Sequence, residues 1–221
     1  MSVFDRLAGQ EDVVAQLQAA AAAARQMVAD TVENTSSPAE SGSSGDGDEV
    51  ARAKMTHAWL FTGPPGSGRS IAARCFAAAL QCESAQGPGC GECEVCRAVM
   101  EDRHPDVTVV RPEGLTISVK EIRGIVARAS TFPATGQWQV VIIEDADRLT
   151  EQAGNALLKA VEEPPSHTVF ILCAPSDDPQ DIMLTLRSRT RHIYVRMPST
   201  EAVARLLEPV SYTHLTLPTT P

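Results

Sequence analysis

Hydrophobic positions along this chain gather into short, almost unbroken runs, with longer amphipathic stretches between them. The runs are AWLFT (58–62), VTVV (107–110), WQVVII (138–143), TVFILC (168–173) and HIYV (192–195). They are rich in β-branched and aromatic residues and scarcely alternate with polar ones, the pattern of strands covered on both faces. Between them, apolar residues recur at helical spacing over 69–81, 118–130, 150–161 and about 181–186. Strands alternating with helices make βαβ units, so the fold class is α/β, a parallel sheet flanked by helices. Ahead of the first strand, Val13, Val14, Leu17 and the alanines from Ala19 to Ala24 predict a helix from Phe4 to about Ala29.

Two stretches fall outside this rhythm. From 30 to 50 the chain is rich in Ser, Gly and acidic residues and poor in large apolar ones, which predicts a disordered, solvated insertion. The end, PVSYTHLTLPTTP (209–221), has three prolines, four threonines and no charge. It is read as a non-native tail, which makes 1–208 one core domain cut from a longer protein and TEAVARLLE (200–208) a candidate start of a further lid domain.

Composition adds limits. The 221 residues are 43% hydrophobic and 21% charged, enough to bury a core without cross-links. No window approaches the roughly 18 apolar residues of a membrane span, and the N-terminus lacks the pattern of a signal peptide, so a cytoplasmic protein is expected. The net charge of -9 includes six acidic residues between Asp30 and Val50, with no Lys or Arg among them, which leaves only -3 for the rest. That balance excludes little about partners, although no strongly basic DNA-binding surface is apparent.

The first run is followed by Gly63, Pro64, Pro65, Gly66, Ser67, Gly68, Arg69 and Ser70, which fit the phosphate-loop pattern G-x-x-x-x-G-K-[ST] except that arginine replaces lysine. Glycines let successive N–H groups converge on phosphate oxygens, the helix N-terminus adds its positive end, and Ser70 is placed to meet magnesium. Arg69 is longer, planar and forked where the pattern needs a compact point charge. A second nucleotide signature would be a strand ending in Asp-Glu. Here VVII is followed by Glu144 and then Asp145, the reverse order, which displaces both carboxylates by about a methylene. ATP with Mg2+ is thus a doubtful cofactor and hydrolysis more doubtful still. A Gly/Pro-rich turn that never meets a nucleotide is the plain alternative.

Cys82, Cys90, Cys93 and Cys96 form C-x7-C-x2-C-x2-C, with glycines at 87, 89 and 91. Without a signal peptide this spacing favours a tetrahedral Zn2+ site over disulfides, and four protein ligands leave no open position, which favours a structural role. Cys75 and Cys173 read as small core residues.

Taken in order, FDRLAGQEDVVAQL, HAWLFTGPPGSGRS, the four cysteines, HPDV (104–107), EIRGIVARAS, VVIIEDADRLTEQAGNALLKAVEEPP and LRSRT resemble the bacterial clamp-loader branch of the AAA+ family, and within it the delta-prime group of subunits. The resemblance covers about Phe4 to Leu207, and NALLKAVEEPP and the cysteine module are its most specific parts. It implies an AAA+ P-loop NTPase-type sheet carrying an inserted zinc module. It also implies a place beside gamma/tau and delta subunits in a ring that seats a sliding clamp on primed DNA for DNA polymerase III, a component of the DNA-directed DNA polymerase holoenzyme. In such rings a Ser-Arg-Cys motif gives an arginine finger to the neighbour's ATP site; Ser188-Arg189-Thr190 keeps the arginine, and Arg189 is the candidate. Motor subunits would carry Lys at 69, Asp-Glu at 144–145 and a polar sensor where CAPS (173–176) stands, so the departures favour a stator with little or no ATPase activity of its own. An active gamma/tau-like motor and a zinc-module nucleic-acid binder remain the alternatives, the latter disfavoured because the stretch 82–96 has no Lys, Arg or aromatic residue.

Overall fold

The computed structural model describes residues 2–36, 55–112 and 114–207. The remainder of the 30–50 stretch beyond residue 36 and the whole 209–221 tail lie outside the described residues. Five strands, β1 (Ala58–Thr62), β2 (Val107–Val110), β3 (Gln139–Ile143), β4 (Thr168–Ala174) and β5 (Arg191–Tyr194), form one parallel sheet in the order β2-β3-β4-β1-β5. All five coincide with the hydrophobic runs to within a residue.

Strand residues alternate between two apolar layers. Trp59, Phe61, Val140, Ile142, Val169, Ile171 and Cys173 face α1 (Glu11–Ser36), α2 (Arg69–Gln81) and α3 (Glu94–Met100). Leu60, Val141, Ile143, Phe170 and Leu172 face α4 (Val119–Ala129), α5 (Glu151–Glu162) and α6 (Leu184–Arg187). Because both faces are covered, no polar alternation is needed, which explains the unbroken runs. Trp59 anchors the first layer: it is fully buried, packs edge-on to Phe76 at 4.8 Å between centroids, and donates its indole N–H to the Thr56 carbonyl at 2.8 Å. The helix after β1 lies on one face, and the helices after β2, β3 and β4 on the other. The crevice at the C-terminal end of β1 is therefore the place where an open α/β sheet holds its ligand.

The structure corrects the N-terminal helix. Instead of one helix from Phe4 to Ala29, a 3-10 turn at Val3–Arg6 is followed by a break at Gly9, φ 71°, and then by α1. Ser2 starts the turn by itself with a capping box, its hydroxyl accepting from Phe4 N–H and its own N–H donating to Asp5. The buried Gln10 side chain is drawn off to the far end of the sheet, donating to the Arg196 carbonyl at 2.5 Å and accepting from its N–H at 3.2 Å. At its other end α1 runs through Asp30 to Ser36, because no Gly or Pro interrupts the polar sequence before Pro38. The helix expected at 181–186 is confined to α6, Leu184–Arg187. In the stretch read as a candidate start of a lid domain, α7 spans Thr200–Leu207. Sequence reading missed α3 altogether; it begins inside the cysteine module, whose ligand spacing masks its periodicity, and runs on to Met100.

Candidate functional site

The phosphate loop leaves the end of β1 and turns into α2. Gly68, at φ 94°, precedes the helix, and its carbonyl accepts from Ala72 N–H at 2.8 Å. Ser67 N–H donates to the Pro64 carbonyl at 3.0 Å and closes the turn. Gly63 N–H donates to Pro175 at the end of β4, and a side-chain carbon at Gly63 would stand 2.1 Å from the Val195 carbonyl oxygen. Pro64, Pro65, Gly66 and Ser70 complete the cradle. Among the described residues, the Ser67 hydroxyl and Nη1 of Arg69 are buried without a hydrogen-bond partner.

Strand alternation puts Glu144, the first residue past β3, on the α2 side, and there it meets α2. Its Oε1 lies 2.7 Å from Nη2 of Arg74, and its Oε2 lies 3.2 Å from Nε of Arg111, just past β2. Asp102 completes a four-membered network, accepting from Arg74 Nε at 2.8 Å and pairing closely with Arg111. Arg74 also donates to the Ser70 carbonyl at 3.0 Å. Arg74 holds the Asp102 carboxyl below the usual carboxylate range, outweighing burial, with Arg111 adding to the effect. Burial works against the Arg74 charge, yet Asp102 and Glu144 together raise its pKa above the ordinary guanidinium value. Both oxygens of the carboxylate at the magnesium-organising position thus lie within ion-pairing distance of guanidinium groups, with Oε2 hydrogen-bonded to Arg111 and Oε1 buried without a hydrogen bond. The residues present do not fit a magnesium ion at this position.

Asp145 follows in a left-handed conformation, φ 53°, where the chain leaves the strand. Asp147, two residues on, has a buried Oδ1 with no partner among the described residues, and burial, with Asp145 and Asp181 nearby, raises its pKa. Cys173, at the end of β4, completes the floor: burial pushes its thiol up to about 12, so it stays neutral beneath the Arg69, Glu144 and Arg74 charges. Sequence reasoning missed Arg74, Arg111 and Asp102. Only the i, i+4 spacing of Ser70 and Arg74 hints at one of them.

The four cysteines converge. Their sulfur atoms all lie within 4.8 Å of one another, against about 3.8 Å for the edge of a tetrahedron built on a 2.3 Å metal–sulfur bond. Cys93 N–H donates to Cys90 Sγ at 3.4 Å, and Cys96 N–H to Cys93 Sγ at 3.3 Å. The Cys93 amide is the main reason the Cys90 thiol falls to about 6, while burial raises Cys93 and Cys96. The residues fit a metal bound by four thiolates. The module is fastened to the rest of the chain: Gly89 accepts from Val3 N–H at 2.9 Å and from Ser2 Oγ at 3.0 Å, and Arg25 of α1 donates to the carbonyls of Ser84, at 3.0 Å, and Cys82.

Arg189 lies elsewhere. It sits just before β5, whose first residue, Arg191, pairs with Trp59 near the start of β1, whereas the phosphate loop leaves the opposite end. Four or five strand residues at about 3.3 Å each separate the two ends. The guanidinium is exposed, ion-paired to Glu162 at 2.7 Å and donating to the Thr185 carbonyl at 3.1 Å. It cannot serve the loop of its own chain.

A five-stranded parallel sheet with a phosphate loop after the strand beside its switch point and an acidic pair after the next-but-one strand defines the AAA+ class of P-loop folds. The chain belongs to the DNA polymerase III, delta subunit family, whose sequence profile matches residues 47–199. It is 35% identical over 158 residues to DNA polymerase III subunit gamma/tau of Mycobacterium tuberculosis (strain ATCC 25618 / H37Rv), covering 70% of this chain and 27% of that protein. To subunit delta' of Pseudomonas aeruginosa it is 37% identical over 141 residues, covering 62% and 42%. A gamma subunit-related protein of Thermotoga maritima superposes with a TM-score of 0.52 at 25% identity, covering 69% of this chain and 45% of that one. The chain thus spans about a quarter to two-fifths of the length of these curated relatives.

Proposed function

We propose that this chain is a delta-prime-like, non-motor subunit of a cytoplasmic DNA polymerase III clamp loader. The observation that carries the reading is the ion pairing of Glu144, the residue at the magnesium-organising position, with Arg74 and Arg111, beside a loop that already has arginine in place of lysine. Reversal of the acidic pair and the Ala174-Pro175 pair at the sensor position point the same way. The subunit contributes Arg189 in trans. Its place at the opposite end of the sheet from its own loop lets a neighbouring gamma/tau subunit receive the guanidinium against charge developing on its γ-phosphate. The cysteine module holds Zn2+ in a closed, structural shell; the metal supplies cross-linking of the module, and no chemical step passes through it.

The test is reconstitution with gamma/tau and delta subunits, a sliding clamp and primed DNA. The chain alone should show no steady-state ATP turnover. In the complex, Arg189→Ala should reduce hydrolysis at the adjacent gamma/tau site by about 10³-fold, with unchanged thermal stability of the isolated chain. Turnover by the chain alone at the rate of a working motor, or full activity of the Arg189→Ala complex, overturns the reading.

A further inference from the structure

The four cysteines of the module do not stand alike toward solvent. Cys82 and Cys96 are 2% and 0% exposed, whereas Cys90 and Cys93 are half-buried. Cys90 also lines a cleft of about 450 Å³, with Ser2, Gln18 and Ala22 on one wall and residues 86–89 on the other. Hydrogen peroxide, about two water molecules in size, needs only a small part of that space, so the cleft brings small solutes to one ligand of the four. A thiolate that binds metal is still a nucleophile, and access decides which thiolate of a set is oxidised. The position also has a mechanical connection. Gly89, next to Cys90, accepts from Val3 N–H at 2.9 Å and from Ser2 Oγ at 3.0 Å, and a side-chain carbon at Gly89 would stand 2.8 Å from Val3 and 3.1 Å from Phe4. The N-terminal turn is thus seated on the residue before the accessible sulfur.

We propose that Cys90 and Cys93 are a peroxide-sensitive modification site: hydrogen peroxide entering the cleft converts them to a disulfide, which opens the metal shell and unfastens the N-terminal turn. The Cys90 thiolate attacks one peroxide oxygen; the S–O bond forms, the O–O bond breaks and hydroxide leaves. Cys93 resolves the product, being the other half-buried sulfur and already in contact, with its N–H donating to Cys90 Sγ at 3.4 Å. Its thiolate attacks the Cys90 sulfur, forming the S–S bond and expelling a second hydroxide. The two sulfurs lose two electrons, the peroxide gains them, and two protons from solvent complete two waters. The disulfide offers no thiolate, so Cys82 and Cys96 alone face the ion where a closed site needs four ligands. Thiol reductants reverse the step. The proposal rests on the reading of the module as a four-thiolate metal site.

The test treats the full chain, reduced and loaded with Zn2+, with hydrogen peroxide. Metal content before treatment checks the reading beneath the proposal, and a chain that holds no metal overturns both. Release is followed with a coloured zinc chelator, and the cysteines are alkylated and mapped by mass spectrometry when half the metal has left. The Cys90–Cys93 disulfide should then outnumber any pair that includes Cys82 or Cys96 by about fivefold or more. Cys75 and Cys173, whose burial pushes both thiols up to about 12, should remain reduced. Hydrogen exchange at the Val3 amide should rise with release and fall again after dithiothreitol and zinc are added. Ala22→Trp, an exposed change on the facing wall of the cleft, should slow release by about threefold or more, with the metal content of the untreated variant unchanged. No release by peroxide, a first disulfide at another pair, a Val3 amide indifferent to release, or an undiminished rate in Ala22→Trp overturns the proposal and leaves the zinc reading standing.

Discussion

Several buried or half-buried titratable residues serve structure. His104 and Asp106 of the HPDV segment are both buried, and Asp106 serves as a local anchor: its carboxylate accepts from the backbone N–H groups of Ala134, Thr135 and Gly136 at 2.7–2.8 Å. Burial alone would raise its pKa, but the three amides and the Thr135 hydroxyl overcome that and lower it. A carboxylate whose folded pKa is depressed contributes stability above its unfolded value of about 3.9 and loses it as pH falls through the lower folded value. Asp106→Asn is therefore expected to cost about 2 kcal/mol at neutral pH and to flatten the acid limb of the stability–pH curve, measured by urea unfolding from pH 2 to 7. Asp147 behaves in the opposite sense. Its raised pKa means that the folded state gains stability as pH falls through that value, and Asp147→Asn should stabilise the chain by up to about 1 kcal/mol at pH 7, measured by thermal unfolding. No periodicity distinguishes these two aspartates, because their roles depend on partners 28 or more residues away or on the loss of water.

Strands and helices were legible where burial on both faces, or on one stripe, imposes a period, as in β1, β4 and α2, whose limits match the hydrophobic text almost residue for residue. They were illegible where a non-periodic requirement takes over. Gln10 leaves the helical pattern to bond Arg196, and α3 is shaped by Cys93 and Cys96, with the Cys93 sulfur accepting at the helix start. The cysteine module also reaches beyond itself, through Gly89 to Val3 and Ser2, and through the Ser84 and Cys82 carbonyls to Arg25. Metal removal should thus loosen the 3-10 turn and the facing part of α1 as well as residues 82–96. Chelation followed by hydrogen exchange should show protection lost at the Val3 and Cys96 amides and restored by zinc, with β4 amides unaffected. Retained protection at Val3 would show that the turn holds without the module.

At the scale of the molecule, the α/β sheet and its crevice could be inferred from order and composition, while the separation of Arg189 from the loop required the sheet order. Parallel strands place every connection of one kind at one end, so the phosphate loop, Glu144 and Asp145 share one rim, and Arg189 lies at the other. The same order leaves two strands, β2 and β5, with one neighbour each, both only four residues long. Beyond β5, Val195 N–H is still turned inward to the Thr62 carbonyl, which directs the Arg196 peptide outward, and there the Gln10 carboxamide satisfies both of its polar groups. One side chain thus imitates a residue of a sixth strand. The consequence concerns solubility: an unsealed sheet margin invites another chain to add itself, and a carboxamide in that place refuses the template.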